Sequence, residues 1–246
     1  MDRTDLDWNA LAEIDPYWAV LTHDEFQGGA AGKLEVFLQS GSEYVGRLWT
    51  VIESTLGAPF APARALDFGC GVGRVTLPLA ARCGNVLGLD IAASMLVQAR
   101  VLAADARVTN VQFAQSEDLQ SIADRTFDFV HSFIVFQHIP EARGLRLLER
   151  LMDVLEDGGV GAVHVLYYNP DMASMPERFI KRAWRALRRP FRRVPQMQMN
   201  TYALNAVCRI IQQAGVRQMH VLPTDHGGCL GVLLCFRKTS NEPYLA

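Results

Sequence analysis

A chain of 246 residues is long enough for one large hydrophobic core with an appended lid, and too short for two ordinary enzymes in tandem. Half of the residues are hydrophobic and 20% are charged, which excludes disordered and fibrous chains and leaves the balance of a soluble globular protein. The net charge of −2 hides an asymmetry: residues 1–45 hold two basic and nine acidic side chains (−7), whereas residues 177–193 hold eight Arg/Lys and one Glu (+7). Apolar runs such as FIVF (Phe133–Phe136) stay far below the roughly 18 residues of a membrane span, and MDRTDLDWNA lacks a basic-then-apolar leader, so the expected location is cytoplasmic. Five cysteines without a C-x-x-C pair suggest neither a disulfide framework nor a metal site of familiar spacing.

In chain order, helix-like stretches around Trp8–Thr22 and Gly32–Leu56, broken at Gly28-Gly29, form an expected helical cap over residues 1–60. From residue 61 short apolar runs alternate with amphipathic segments, the signature of βα units winding a mostly parallel sheet. Strands are expected near Arg64–Phe68, Asn85–Asp90, Val108–Phe113, Phe127–Phe133 and Val160–Tyr167. A helix follows Asp90, and another opens at Pro140 and stops at Gly158-Gly159. Residues 169–200 form an expected basic helical insertion, interrupted at Pro190. Two β-rich runs around Asp225-His226-Gly227-Gly228 read as an antiparallel hairpin closing one sheet edge.

LDFGCGVGR (Leu66–Arg74) joins an apolar strand to a helix-like run, so its glycines lie where the chain must turn sharply and approach a ligand. Tight packing of strand against helix also selects glycine, so the loop alone is a weak signal. Asp90 strengthens it, because a carboxylate ending the second strand can accept both hydroxyls of a ribose held over the loop. A nicotinamide-binding fingerprint needs Gly or Ala one residue after Gly73, where this chain has Arg74.

The G-x-G-x-G spacing, the acid before it and the acid ending strand two resemble class I S-adenosylmethionine-dependent methyltransferases. SEDL (Ser116–Leu119), FDFVHSF (Phe127–Phe133) and LEDGGVGAVHV (Leu155–Val165) match that family's later landmarks in order, over about residues 64–168. The resemblance implies a doubly wound α/β, seven-stranded, mostly parallel Rossmann-like sheet with an antiparallel C-terminal hairpin, and S-adenosyl-L-methionine as cofactor. By the same resemblance Asp67, Gly69, Cys70, Gly71 and Gly73 line the methionine part of the cofactor. Asp90 holds the ribose, Ile91 packs on adenine, and Gln115, Ser116 and Glu117 border the adenine edge. Gln115 stands where relatives often have an acid, and its amide oxygen is the replacement acceptor. Ser132 and Phe133 lie beside the transferring methyl. Arg74 either reaches the cofactor carboxylate or supports the loop.

Methyl transfer is an in-line displacement in which positioning and exclusion of water supply most of the catalysis. A hydroxyl or protonated amine acceptor must also lose a proton, a task suited to histidine. His138, just after strand four, is the first choice for base; the alternative is a histidine that fixes its loop through the backbone. His226 is the second candidate, because a hairpin returning from a parallel strand six turns at the sheet's carboxyl edge; a purely structural hairpin is the alternative. His131, inside an apolar strand, reads as a satisfied buried histidine. Trp8, Tyr17, Trp18 and Phe26 are either an aromatic lid or cap packing.

FIVF stands where nucleobase amino-methylating relatives carry [Asp/Asn]-Pro-Pro-[Tyr/Phe]. The expectation is therefore methylation of a small molecule, anionic ones among the candidates, at oxygen in preference to nitrogen or carbon. Two other classes compete. An RNA-directed or non-catalytic phosphate-binding protein would use the basic insertion and bind with strong salt dependence, and a nicotinamide oxidoreductase would prefer NAD(P).

Overall fold

A computed structural model describes residues 3–14, 17, 34–115, 119, 122, 124–170 and 197–239. Helices α1 (Arg3–Ile14) and α2 (Leu34–Leu56) precede the sheet. Then come β1 (Arg64–Phe68), α3 (Thr76–Ala80), β2 (Asn85–Asp90), α4 (Ala93–Asp105), β3 (Val111–Gln115) and β4 (Phe127–Ser132). A 3₁₀ turn (Phe136–His138) leads into α5 (Glu141–Val154) and β5 (Leu155–Tyr168). α6 (Leu204–Gln213), β6 (Val216–His226) and β7 (Cys229–Lys238) complete the described chain.

The seven strands form one sheet in the order β3-β2-β1-β4-β5-β7-β6. β1 pairs in parallel with β2 and β4, β2 with β3, and β4 with β5; β7 runs antiparallel to both β5 and β6. The order reverses between β1 and β4, and ligands of open α/β sheets bind outside the carboxyl ends of the strands at such a switch point.

Burial on both sheet faces accounts for the near-continuous apolar strands. On α2, Phe37, Gly41, Tyr44, Val45, Leu48, Trp49 and Ile52 are buried at helical spacing. Tyr44, Val45, Leu48, Trp49 and Ile52 belong to one cluster with Ala65, Phe129, Ala162 and Leu233 on one side of the sheet. On the other side Leu147, Leu148 and Leu151 of α5 and Val207, Ile210 and Ile211 of α6 meet Leu66, Val130, Val163, Val165 and Leu234. The alternation between Ala162 and Val163 is the strand period of two sorting side chains to opposite layers. α1 joins a third cluster through Leu11 and Ala12, with Met95 and Leu102 of α4.

The expected strands β1 and β2 are observed with the bounds read from the sequence. The third begins at Val111 rather than Val108 and runs to Gln115. The largest difference is at β5, which starts at Leu155, directly after α5 ends at Val154. Gly158 and Gly159 therefore lie inside a strand and do not terminate a helix. The β4–β5 register shifts between Phe127↔Leu155 and Phe129↔Val160, and Gly158 absorbs the bulge with φ +83° at no Cβ penalty. Pro140 is the residue before the first turn of α5, with extended backbone, rather than its first helical residue. In the hairpin the turn narrows to Gly227-Gly228, and His226 pairs with Cys229 as the last residue of β6. Most of the 169–200 insertion, including its basic stretch, lies outside the described residues. Among the described residues no helix is long and apolar enough to cross a membrane.

Candidate active site

The glycine loop folds over the end of β2. The N–H groups of Gly69 and Cys70 both donate to the carbonyl of Leu89 (2.7 and 2.9 Å), and Gly71 N–H donates to Oδ2 of Asp90 (2.8 Å). The second Asp90 oxygen accepts from Ala92 N–H (2.9 Å). Burial raises the Asp90 pKa while these N–H donors pull it back down, so the carboxylate is anchored by the backbone of the loop it serves. Gly69 has φ +77°, and a Cβ there would fall 2.3 Å from Cγ2 of Val135, so no larger residue fits. Gly73 has φ +87°, and a Cβ there would meet Phe113, Ala99 and Leu77 at ordinary contact distance, so the backbone conformation rather than space is what requires glycine.

One cavity runs along the carboxyl edge beside this loop. Its walls include Asp67, Gly69, Cys70, Gly71, Arg74, Asp90, Ile91 and Phe133 from the expected set, together with His131 and His138. Met95 extends the apolar wall beside Ile91. A carboxylate with fixed oxygens next to an apolar slot and an open backbone loop fits an adenosine, with Asp90 for the sugar and Ile91 and Met95 for the base.

Asp67 is fully engaged within the protein. Its Oδ2 accepts from Thr76 Oγ1 (2.6 Å), and its Oδ1 accepts from His131 Nδ1 (2.8 Å). His131 Nε2 meets the Tyr44 hydroxyl at 3.0 Å, and Tyr44 stacks on Phe133 with ring centroids 4.1 Å apart. His131 is thus the satisfied buried histidine that its strand suggested, and it also lines the cavity. Arg74 donates to Ser40 Oγ (3.3 Å), tying the loop to α2; burial lowers its pKa, and its Nε has no hydrogen-bond partner among the described residues.

Across the cavity stands His138, 7% exposed. Its Nδ1 lies 2.8 Å from the carbonyl of Gln198. A carbonyl can only accept, so Nδ1 carries the hydrogen and Nε2 holds the lone pair. Burial lowers the pKa to about 4, with the Gln198 bond opposing, so the ring is neutral at physiological pH. His138 thus braces its loop through Nδ1, and it also borders the cavity. The loop is further held by Asn200 N–H donating to Gln137 O (2.6 Å) and by the Tyr202 hydroxyl bridging the carbonyls of Phe136 (3.0 Å) and Ile139 (2.8 Å).

The remaining expected residues are dispersed. Gln115 donates its amide N–H to Ile91 O (2.8 Å), leaving its Oε1 as acceptor, but it is not part of the cavity wall. Ser116 and Glu117, like Trp18 and Phe26, lie outside the described residues. Ser132 is buried away from the wall, and Tyr17 packs edge-on against Phe37. His226 reaches the carboxyl edge as the hairpin topology required, with its ring 6.1 Å from Phe133 and 5.2 Å from His164, yet it is outside the cavity wall. Burial, then the charges of His226 and His138, lower the His164 pKa to about 3.

Among the wall residues that the sequence-based site lacked are Asp5 and Trp8 of α1 and Arg143 of α5. Trp8 had been weighed only as lid or packing; it meets His138 edge-on at 4.6 Å.

Residues 65–159 match the family described as methyltransferase domain. Over residues 65–159 the chain carries a methyltransferase domain of the kind found in class I S-adenosylmethionine-dependent methyltransferases. S-adenosylmethionine is the cofactor of that family. The chain is 35% identical over 125 residues to trans-aconitate 2-methyltransferase of Methylobacterium radiotolerans, an alignment covering 50% of this chain and 44% of that protein. It is 31% identical over 118 residues to ubiquinone biosynthesis O-methyltransferase of Cereibacter sphaeroides, covering 48% and 47%. The chain thus spans somewhat under half the length of these curated relatives. Magnesium protoporphyrin IX methyltransferase from Synechocystis PCC 6803, crystallised with SAH, shares the fold with TM-score 0.66 and 16% identity, covering 97% of this chain and 100% of that one.

Proposed function

We propose that the chain transfers the methyl group of S-adenosylmethionine to a small-molecule acceptor, with oxygen as the acceptor atom. The observation that carries this reading is one cavity bordered both by the backbone-anchored carboxylate of Asp90 and by the neutral imidazole of His138. The names of the sequence relatives point the same way, since they include a trans-aconitate 2-methyltransferase and a ubiquinone biosynthesis O-methyltransferase. When bound, the cofactor supplies an electrophilic methyl on a sulfonium. Asp90 accepts from the ribose hydroxyls with its remaining lone pairs, and Ile91 and Met95 cover the base. The glycine loop offers close backbone approach, and Arg74 faces the methionine carboxylate from its anchor on Ser40. Phe133, backed by Tyr44, gives an apolar wall near the methyl and keeps water from the line of transfer.

His138 accepts the acceptor's hydroxyl proton at Nε2. A pKa of about 4 makes it a weak base toward a free alcohol. An oxygen gaining a methyl becomes strongly acidic, however, so a weak base already in place suffices at that moment. His226 belongs beside Phe133 as a second polar group at the acceptor end. In this reading residues 1–60 are a cap, the transferase domain runs from residue 61 and residues 169–200 are an insertion; the placement of Asp5 and Trp8 of α1 on the cavity wall supports the cap, whereas α2 packs on the sheet itself.

Competitive calorimetry with S-adenosylmethionine, its demethylated product and NAD(P) tests the reading. Micromolar binding of the first two with no response to NAD(P) is the expected result. Preference for NAD(P) overturns it, as does affinity for RNA at low salt without methyl transfer to any small molecule. A screen with labelled methyl donor then identifies the acceptor atom.

A further inference from the structure

The cavity contains an ion pair for which methyl transfer itself has no use. Arg143, in the first turn of α5, donates from Nη1 to Oδ1 of Asp5 in α1 at 2.6 Å. Both residues line the cavity beside Trp8 and His138. The side chains are 18% and 6% exposed, so a carboxylate and a guanidinium have been withdrawn from most of their water. A pair this buried gives little net stability, because desolvation offsets most of the mutual attraction. The more informative fact is its place, on the wall that His138 shares.

The other charges on that wall have partners of their own. Asp67 is held by Thr76 and His131, Asp90 by Gly71 and Ala92, and Arg74 by Ser40. His138 is neutral. Arg143 lines the wall that His138 also borders, with the Asp5 carboxylate lodged against it. A guanidinium presents a planar fork of donors that matches a carboxylate better than any other common group. A ligand carboxylate that takes the place of Asp5 keeps the guanidinium paired, while the Asp5 side chain, 6% exposed in the pair, must turn toward solvent or take up a proton, so the exchange favours a ligand that matches the guanidinium fork closely.

We propose that Arg143 is the receptor for a carboxylate of the methyl acceptor, and that Asp5 is the internal carboxylate occupying that place until the acceptor arrives. This rests on the methyltransferase reading and narrows it to a substrate class. The acceptor is an acid whose carboxylate docks on Arg143 and whose methylated oxygen is a different one, facing His138. A carboxylate clasped by a guanidinium has its lone pairs engaged and is a poor nucleophile. Trp8, edge-on to His138, supplies the flat apolar surface between the two polar anchors.

The test uses the full chain saturated with S-adenosylhomocysteine, titrated calorimetrically with trans-aconitate, benzoate and 4-hydroxybenzoate, each beside its amide. At least one acid should bind tenfold or more tightly than its amide. Arg143→Gln should erase that preference, and Asp5→Asn, which removes the internal competitor, should tighten the acid several-fold. Acids and amides binding alike, no acid binding at all, or an Arg143→Gln variant that keeps the preference would overturn the proposal. The affinity of each variant for S-adenosylhomocysteine separates the two readings. Binding retained within about twofold of wild type shows an intact fold and cofactor site, so loss of acid preference then belongs to Arg143. Failure of the wild type to bind S-adenosylhomocysteine defeats the methyltransferase reading instead.

Discussion

On the Asp90 side of the cavity the site is made of backbone. Residues 69–71 hang from Leu89 O and Asp90 by three main-chain donors, all within one βαβ unit. On the His138 side it is made of side chains gathered from distant stretches: Asp5 and Trp8, His138 and Arg143, with Gln198 and Tyr202 behind them. The first side is rigid because neighbouring residues leave the chain no other path. The second is held by individual contacts, each removable by one substitution. A common cofactor suits the first construction, and an acceptor that differs between enzymes suits the second.

That contrast is open to test. The largest effect is expected from His138→Gln, which should lower kcat by roughly 10²- to 10⁴-fold while leaving S-adenosylhomocysteine affinity unchanged by calorimetry; an equal loss in both would mean that the two sides are one unit. Next comes acid stability. His138 and His164 have folded pKa values of about 4 and about 3, below the unfolded value near 6.5. Between pH 6.5 and those values the unfolded chain binds more protons than the folded one, so stability falls as pH falls through that window. Urea unfolding at pH 7 and pH 5 should differ by about 2 kcal/mol per histidine, and His138→Gln should remove its share of the difference.

Gly69→Ala should destabilise by about 2 kcal/mol or more, since its Cβ meets Val135. Adding Val135→Ala should restore part of the loss in thermal unfolding, although the positive φ remains. The smallest effect is expected from Tyr202→Phe, about 1 kcal/mol for the lost hydroxyl bridge, with kcat reduced more than KM because the loop holding His138 is loosened.

The same contrast explains what was legible in the sequence. The G-x-G-x-G run, Asp90 and the alternating strands were readable because they act through local backbone geometry, which leaves a mark at fixed spacing. β1 and β2 were bounded correctly for that reason. Gly158-Gly159 misled because a glycine pair after a helix and one inside a bulged strand look alike until the partner strand is known. Gly73 was readable as a glycine position, and its φ of +87° is the backbone demand behind it. Asp5 and Arg143 are 138 positions apart. No local pattern joins them, because one lies in the first helix of the chain and the other in the first turn of the helix that follows strand four.

The anchoring of Asp90 bears on how that position tolerates change. Each of its oxygens already receives a main-chain N–H, so the isosteric amide is no conservative exchange. In either rotamer, Asp90→Asn sets an NH₂ group against the N–H of Gly71 or of Ala92, donor facing donor. The glycine turn would splay at its tip before any nucleoside reached it.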